Sequence, residues 1–179
     1  MTSNAASRLI AVVIVTLLGA GLFTAGAARA QQTGDPGTGA VTNLALPRFV
    51  SLKGVEGNAR RGPGLTHRID WVFTRRDMPL QITAEFENWR LVRDKDGEGG
   101  WVHYTLLSGV RTVVVIDGAA AELHAQPDAG SDTSALLEPG VVARVSECTP
   151  GWCRVSAGGE KGWSPKSSFW GVGPDEVLD

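Results

Sequence analysis

A pattern of paired tryptophans occurs twice in this chain. Trp89 and Trp101 are 12 positions apart, and Trp152 and Trp163 are 11 positions apart. Each pair brackets an alternating apolar–polar run and a polar turn that contains glycine, and the second tryptophan directly follows a glycine. A repeat of this kind indicates a duplicated structural unit. The sequence therefore predicts two small β-domains in tandem, which favours binding or scaffolding over catalysis.

The N-terminus has the pattern of an export signal. Arg8 is the only charge before the apolar run 9–23, and small residues then lead to an Ala-Arg-Ala sequence that ends at Ala30. We expect residues 1–30 to be a signal peptide that is cleaved between Ala30 and Gln31. The alternative is an uncleaved membrane anchor, because the apolar and small residues are nearly numerous enough to span a bilayer.

Composition divides the remaining chain into four segments. Residues 31–47 are rich in Gly, Thr and Pro and predict a flexible linker. The two repeats predict domains over 48–109 and 110–172, and residues 173–179 predict a tail. Without residues 1–30 the chain has 15 basic and 19 acidic side chains, net −4, which does not suggest a nucleic-acid or anionic-membrane binder.

Charge is distributed unevenly between the two halves. Residues 48–109 hold 10 basic and 8 acidic side chains, whereas residues 110–179 hold 5 and 10. The halves therefore have net charges of +2 and −5. Opposite signs are consistent with mutual attraction, with a division of ligand binding, or with unrelated solvated surfaces.

Alternating apolar and polar residues predict an all-β fold. The pattern is clear at 79–86, 89–92 and 101–104, with the polar turn 94–99 between the last two. A unit of about 60 residues buries only part of its surface and is marginally stable alone. Five or six short strands closed into a barrel would protect the strand edges, and a short helical turn can follow the final strand.

The first unit resembles the bacterial SH3 (SH3b) family, particularly its exported tandem form. The family's opening Asn, Arg and Gly-Pro motif corresponds to Asn58, Arg60 and Gly62-Pro63. Its Gly-Trp-x-x-Val segment corresponds to residues 88–92, with Asn in place of Gly, and its closing Gly-Trp-Val corresponds to residues 100–102. The resemblance implies two tandem SH3-like small barrels after the signal peptide.

The second unit departs from the opening motif of the family. Glu122 and His124 stand where the first unit has Asn58 and Arg60. The spacing to the first tryptophan of each pair is nevertheless retained, at 29 positions from Arg60 and 28 from His124. We therefore expect the same barrel in both units, with different surfaces.

The resemblance implies a function in recognition. Family members commonly accompany cell-wall enzymes or bind wall peptides, so we expect an exported, non-catalytic module, periplasmic or secreted. It would recognise a cell-wall peptide or a periplasmic protein segment. The alternative is a structural protein-interaction module without a small ligand, in which the second barrel stabilises or masks the first.

Basic and aromatic side chains of the first unit are the candidate ligand contacts. Arginine forks and aromatic rings suit a peptide that carries carboxylates. Trp71 and Phe73 alternate onto the same side of a strand. We expect Trp101 and Trp163 in the cores, whereas Trp89 and Trp152 are equally compatible with core packing and ligand contact. The candidate ligand-binding residues are Arg60, Arg61, Trp71, Trp89 and Tyr104.

The only two cysteines predict a disulfide. Cys148 and Cys153 flank a Pro-Gly turn signal, so a four-residue loop would place them opposite each other on neighbouring strands. An exported compartment would allow the bond to form. Free thiols are the alternative, and a thiol paired with His124 would be the one route to nucleophilic catalysis.

No cofactor, catalytic or metal motif is recognisable. The three histidines are scattered and none forms a spaced ligand pair with a cysteine or another histidine. Asp94, Asp96 and Glu98 occur in one turn but lack the full spacing of a calcium loop, so a solvated turn is the preferred interpretation. We therefore expect no cofactor, no metal and no enzymatic activity.

Overall fold

The computed structural model describes residues 37–179. The expected signal peptide and its cleavage site at Ala30 and Gln31 lie outside the described residues. Two antiparallel sheets of seven strands each account for the fold, and the described residues contain no α-helix. No helix within 37–179 has the length and apolar character needed to cross a membrane.

The strands are distributed equally between the two sheets. The first sheet contains β1 (Arg48–Leu52), β2 (Gly57–Arg60), β3 (Ile69–Phe73), β4 (Pro79–Phe86), β5 (Trp89–Arg93), β6 (Gly99–His103) and β7 (Leu107–Ser108). The second contains β8 (Thr112–Val115), β9 (Ala121–His124), β10 (Thr133–Leu137), β11 (Val142–Cys148), β12 (Trp152–Ala157), β13 (Glu160–Pro165) and β14 (Phe169–Trp170). A 3₁₀ turn precedes the last strand of each sheet, at Tyr104–Leu106 and Lys166–Ser168.

The two sheets have the same topology. Their orders are β3-β2-β6-β5-β4-β1-β7 and β10-β9-β13-β12-β11-β8-β14, so every strand of the first has its counterpart seven strands later. The register of the tryptophan hairpins is also the same in both sheets. Trp101 opposes Leu91, two residues after Trp89, and Trp163 opposes Arg154, two residues after Trp152. The predicted all-β fold of two tandem SH3-like barrels is confirmed.

Glycine precedes the closing tryptophan of each repeat because two strands approach closely there. A Cβ atom on Gly100 would lie 2.6 Å from the carbonyl oxygen of Arg60. A Cβ atom on Gly162 would lie 2.8 Å from the Cβ of Leu123. Only glycine lets β6 pass β2, and β13 pass β9, at these distances. The Gly-Trp dipeptide therefore marks the same crossing in both barrels.

Each barrel has its own apolar core, and the closing tryptophans are not part of it. Trp101 and Trp163 are only partly buried, so the prediction that they fill the cores is wrong. Successive strand residues face opposite sides, and on β6 it is Val102 that points inward. The fully buried side chains are Leu52, Phe73, Leu80, Ile82, Val92 and Val102 in the first barrel and Val113, Val115, Leu123 and Val155 in the second.

The described part of the expected linker is attached to the first barrel. The buried Glu85 carboxylate accepts hydrogen bonds from the backbone N–H groups of Val41 (3.0 Å) and Thr42 (2.8 Å) and from the Thr42 hydroxyl (2.7 Å). Arg48 and Arg90 complete the site, at 2.6 and 3.4 Å from Glu85 Oε1. These contacts hold the segment that precedes β1 against β4.

The expected tail is attached to the second barrel. The Cys148 N–H donates to the Leu178 carbonyl oxygen (2.8 Å), and the Leu178 N–H donates to the Cys148 carbonyl oxygen (3.1 Å). The Lys166 ammonium donates to the carbonyl oxygens of Pro174 and Glu176, and Arg111 forms an ion pair with the Glu176 carboxylate. The described ends of the chain are thus each bonded to the barrel that they adjoin.

The barrels also contact each other. Ring contacts, hydrogen bonds to backbone carbonyls and an ion pair join them. They include Phe49 with Trp170 (centroids 5.2 Å apart), Thr112 Oγ1 to the Asp77 carbonyl (2.7 Å), Arg75 Nη1 to the Gly140 carbonyl (2.7 Å) and Lys95 with Asp117 (3.0 Å).

Candidate ligand-binding faces

Aromatic side chains cover the outer surface of β5 and β6 in the first barrel. Trp89 opposes His103, and Leu91 opposes Trp101. Directly opposed residues on antiparallel strands project from the same side of the sheet. Because the alternate residues on both strands point into the core, these four point outward. Together with Tyr104 they form what we call the aromatic face.

Three contacting rings on this face lead from a buried side chain to an exposed one. Trp89 meets His103 edge-to-face with centroids 5.4 Å apart, and His103 lies tilted against Tyr104 at 5.1 Å. His103 Nδ1 is 2.8 Å from the Thr105 hydroxyl, which fixes the ring. Trp89 is 8% exposed and Tyr104 49% exposed. The face thus offers a rigid aromatic surface, with Trp89 as its buried support.

Arg60 organises a loop next to the aromatic face. It opposes Trp101 across β2 and β6. Its Nη1 donates to the carbonyl oxygens of Leu65 (3.0 Å) and His67 (2.7 Å). The guanidinium therefore holds the loop 61–68 in place. This candidate residue shapes the rim of the face, and its Nη1 is already bonded to the protein.

Arg61 is paired with an acid of its own hairpin. Its Nε lies 3.0 Å from Asp70, which Arg68 also contacts at 2.6 Å. Hydrogen bonds from these two arginines lower the pKa of Asp70 below its ordinary value. Asp70 is thus ionised at neutral pH, and a ligand carboxylate would compete with it for Arg61.

Trp71 lies away from the other candidate residues. It pairs with Ala59, which points into the core, whereas Arg60 follows Ala59 and faces the opposite side. Trp71 is 40% exposed, although Phe73, two residues later, is fully buried. The structure thus brings together Trp89, Tyr104 and the Arg60 loop and leaves Trp71 outside.

The second barrel has a cleft at the equivalent place, which the sequence did not single out. His124 opposes Trp163 as Arg60 opposes Trp101. His124 also meets Trp152 edge-to-face at 5.5 Å. The similar spacing from Arg60 and His124 to the following tryptophan, 29 and 28 positions, was the signal available in the sequence. The cleft has a volume of about 280 Å³ and is lined by Glu122, His124, Ala129, Trp152, Pro165 and Ser168.

The cysteines form the disulfide that the sequence predicts. Cys148 and Cys153 oppose each other on β11 and β12 with their Cα atoms 4.1 Å apart. Neither is a free thiol, so no cysteine is available as a nucleophile beside His124.

The acidic turn of the first barrel is held by its own backbone. Asp94 accepts hydrogen bonds from the N–H groups of Asp96 and Glu98. Within residues 37–179, no group of three or more His, Cys, Asp or Glu side chains is placed to hold a metal ion.

Two segments of the chain, residues 53–109 and 118–171, match the bacterial SH3 domain family. The chain belongs to this family. The matched segments contain β2–β7 of the first sheet and β9–β14 of the second, and only β1 and β8 lie outside them. Both the resemblance and the tandem repeat are thus confirmed. The comparison supports a role for the bacterial SH3 domains of this chain as binding modules.

Two solved structures are also similar to this chain, NlpC2 and NlpC1 from Trichomonas vaginalis. Each is 14% identical in sequence, with TM-scores of 0.33 and 0.32. The similarity covers 69% of this chain and 48% and 45% of those proteins, so this chain spans less than half of their length. The search among curated proteins found no match.

Proposed function

We propose that this protein is an exported, non-catalytic module that recognises a cell-wall peptide through the aromatic face of its first barrel. The observation that carries the proposal is the series of contacting rings Trp89, His103 and Tyr104, which is buried at one end and half exposed at the other. Preformed aromatic surface binds a peptide without the entropic cost of ordering the binding site.

The chemistry of the rim favours a peptide that carries carboxylates. The Arg60 loop borders the aromatic face, and residues 48–109 have a net charge of +2. Arg61 and Arg68 share a single acid, Asp70, so their positive charge is only partly balanced. Arginine pairs with carboxylates through two parallel hydrogen bonds when the geometry allows.

The second candidate function is a structural interaction protein in which one barrel masks the other. The contacts between the barrels, such as that of Phe49 with Trp170, favour it. Masking would require the second barrel to cover the aromatic face. Tyr104 is 49% exposed, and none of the described contacts between the barrels involves it. The binding function is therefore the better supported of the two.

Co-sedimentation with purified peptidoglycan tests the proposal. We expect the wild-type protein to bind, and Tyr104→Ala to weaken binding because the half-exposed ring is lost. Losing one aromatic contact of this kind typically weakens association by about tenfold. Trp71→Ala is the matched control, since it removes an exposed aromatic ring outside the face.

Three results decide between the candidates. Loss of binding with Tyr104→Ala but not with Trp71→Ala supports the aromatic face. Loss with Trp71→Ala alone moves the ligand site to β3. Absence of binding by the folded wild-type protein rejects wall recognition and favours the structural alternative.

A further inference from the structure

The cleft of the second barrel has an acidic and an aromatic wall. Glu122 and His124 project from β9, and Trp152 opens β12. Pro165 at the end of β13 and Ser168 in the 3₁₀ turn complete the opposite side. His124 is buried, at 5% exposed, whereas the Glu122 side chain is 58% exposed at the mouth. The cleft is open to solvent and has a charged group at its entrance.

Glu122 and His124 hold two polar atoms close together in this cleft. His124 Nδ1 lies 3.1 Å from the Ser131 carbonyl oxygen, which can only accept, so Nδ1 carries a hydrogen. Nε2 lies 3.4 Å from Oε2 of Glu122. When the ring is neutral, Nε2 and Oε2 are both acceptors, and one donor placed between them satisfies both; when the ring is protonated, Nε2–H pairs with the carboxylate itself.

The equivalent residues of the first barrel have the opposite electrostatic character. Asn58 and Arg60 on β2 occupy the positions that Glu122 and His124 occupy on β9, since Arg60 opposes Trp101 as His124 opposes Trp163. A neutral amide and a permanent cation are thus replaced by a carboxylate and an imidazole. Residues 110–179 also carry a net charge of −5. Both the local and the overall charge of the second barrel suit a cationic ligand group.

We propose that the cleft binds a primary ammonium group of a peptide, which donates hydrogen bonds to Glu122 Oε2 and His124 Nε2 beside the Trp152 ring. An ammonium has three donors and no acceptor, so it satisfies both acceptors at once. Aromatic rings and carboxylates together are favourable surroundings for a cation. The proposal deepens the proposed function, on which it rests, because the two barrels would read opposite charges of one peptide.

Titration of the full exported protein with small amines, followed by the NMR signal of the Trp152 indole N–H, tests this. The probes are Nα-acetyl-lysine methylamide, with a side-chain ammonium, and alanine methylamide, with an amino-terminal one. The neutral control is Nα,Nε-diacetyl-lysine methylamide. We expect at least one charged probe to bind about five to ten times more tightly than the neutral one. The probe that binds identifies the source of the ammonium.

Two variants connect the binding to the cleft. Glu122→Gln should abolish the preference for the charged probe, because it removes the carboxylate with little change in shape. Glu160→Gln is the control, since it removes an exposed carboxylate of the same barrel outside the cleft. Equal binding of charged and neutral probes, no response of Trp152, or equal effects of the two variants would overturn the proposal.

Failure of this inference is distinguishable from failure of the proposed function. If peptidoglycan binding depends on Tyr104 but the Trp152 indole signal does not change when amines are added, only the ammonium site is rejected. If amines bind the cleft while peptidoglycan does not bind, the ammonium site stands and its peptide comes from another source.

Discussion

Glu85 shows how one buried carboxylate can join the chain before β1 to the first barrel. Burial raises the pKa of Glu85, but hydrogen bonds from Thr42, Arg48 and Val41 outweigh it and lower the pKa to about 2. The carboxylate is therefore far more stable as an anion in the folded protein than in the unfolded chain. Its partners are fixed by the fold, so protonation would release the segment that precedes Arg48.

Stability should depend on pH through Glu85. The depressed pKa means that its contribution is complete above about pH 4.5 and is lost as the pH falls towards 2. A shift of this size corresponds to about 3 kcal/mol. Glu85→Gln should thus destabilise the protein by about 2–4 kcal/mol at pH 7, and by progressively less below pH 4.5. Urea unfolding of both proteins across this range measures the difference.

Glu56→Gln is the control for Glu85, because it removes an exposed carboxylate of the same barrel. It should change the free energy of unfolding by less than about 0.5 kcal/mol at every pH. A difference between wild type and Glu85→Gln that does not vary with pH would contradict the assigned role of the carboxylate.

Trp89 and Trp101 provide a second comparison, between two residues of the same type on one hairpin. Trp89 is buried, whereas Trp101 is partly exposed on the outer side of β6. Trp89→Ala should cost about 3–5 kcal/mol of stability. Trp101→Ala should cost about 1–2 kcal/mol, in proportion to the smaller apolar area that it buries. Thermal or chemical unfolding gives both values, and a larger cost for Trp101 would place its ring in the core.

Equivalent strand pairs of the two barrels are linked by different kinds of bond at the same corner of the barrel. Glu85 opposes Arg90 on β4 and β5, and Cys148 opposes Cys153 on the equivalent strands β11 and β12. An ion pair in the first barrel thus stands where the second has a disulfide. Each corner also holds a flanking chain segment, through Thr42 on Glu85 and through Leu178 on Cys148. The two barrels thus have a cross-strand link at the same position, an ion pair in the first and a disulfide in the second.

Reduction of the disulfide should loosen the second barrel selectively. The bond spans five positions, for which the loss of chain entropy predicts a stabilisation of about 2 kcal/mol. Hydrogen exchange in β11 and β12 should accelerate after reduction, whereas exchange in β4 and β5 should hardly change. Acceleration of equal size in both barrels would show that the bond stabilises the whole molecule instead. A Cys148→Ala/Cys153→Ala variant should behave like the reduced protein.

The sequence determined the elements whose patterns are local. The alternation in 79–86 and the turn at 94–99 predicted β4 to β6, and the Pro-Gly signal predicted the hairpin with the disulfide. It did not reveal β2, β9 and β10, which contain few of the β-branched and aromatic residues that favour strands.

The orientation of side chains was harder to predict than the strands. In Gly100-Trp101-Val102-His103 either alternate set can face the core, and the place of the tryptophan in the family's closing motif suggested the wrong one. The close passage of β6 over Arg60 decides it, because Val102 then points inward. The aromatic face was missed for the same reason. His103 and Leu91 join it only through strand pairing, which no local pattern encodes.

In the whole molecule, the two barrels have the same strand topology but different surface chemistry. The contacts between them, including Thr112 with the Asp77 carbonyl, use surfaces other than the aromatic face and the cleft of the second barrel. Both surfaces therefore stay accessible while the barrels are joined. A peptide with carboxylates and an ammonium group could be read by both, which is a form of multivalent recognition.

NMR mapping of the contacts between the protein and a soluble peptidoglycan fragment tests the aromatic face most directly. We expect the indole N–H signals of Trp89 and Trp101 and the backbone N–H of Tyr104 to shift together as the fragment is added. Trp71, which is exposed but outside the aromatic face, should not shift. Shifts confined to Trp71 and its neighbours, or no shifts at any concentration reached, would contradict the aromatic face as the binding site.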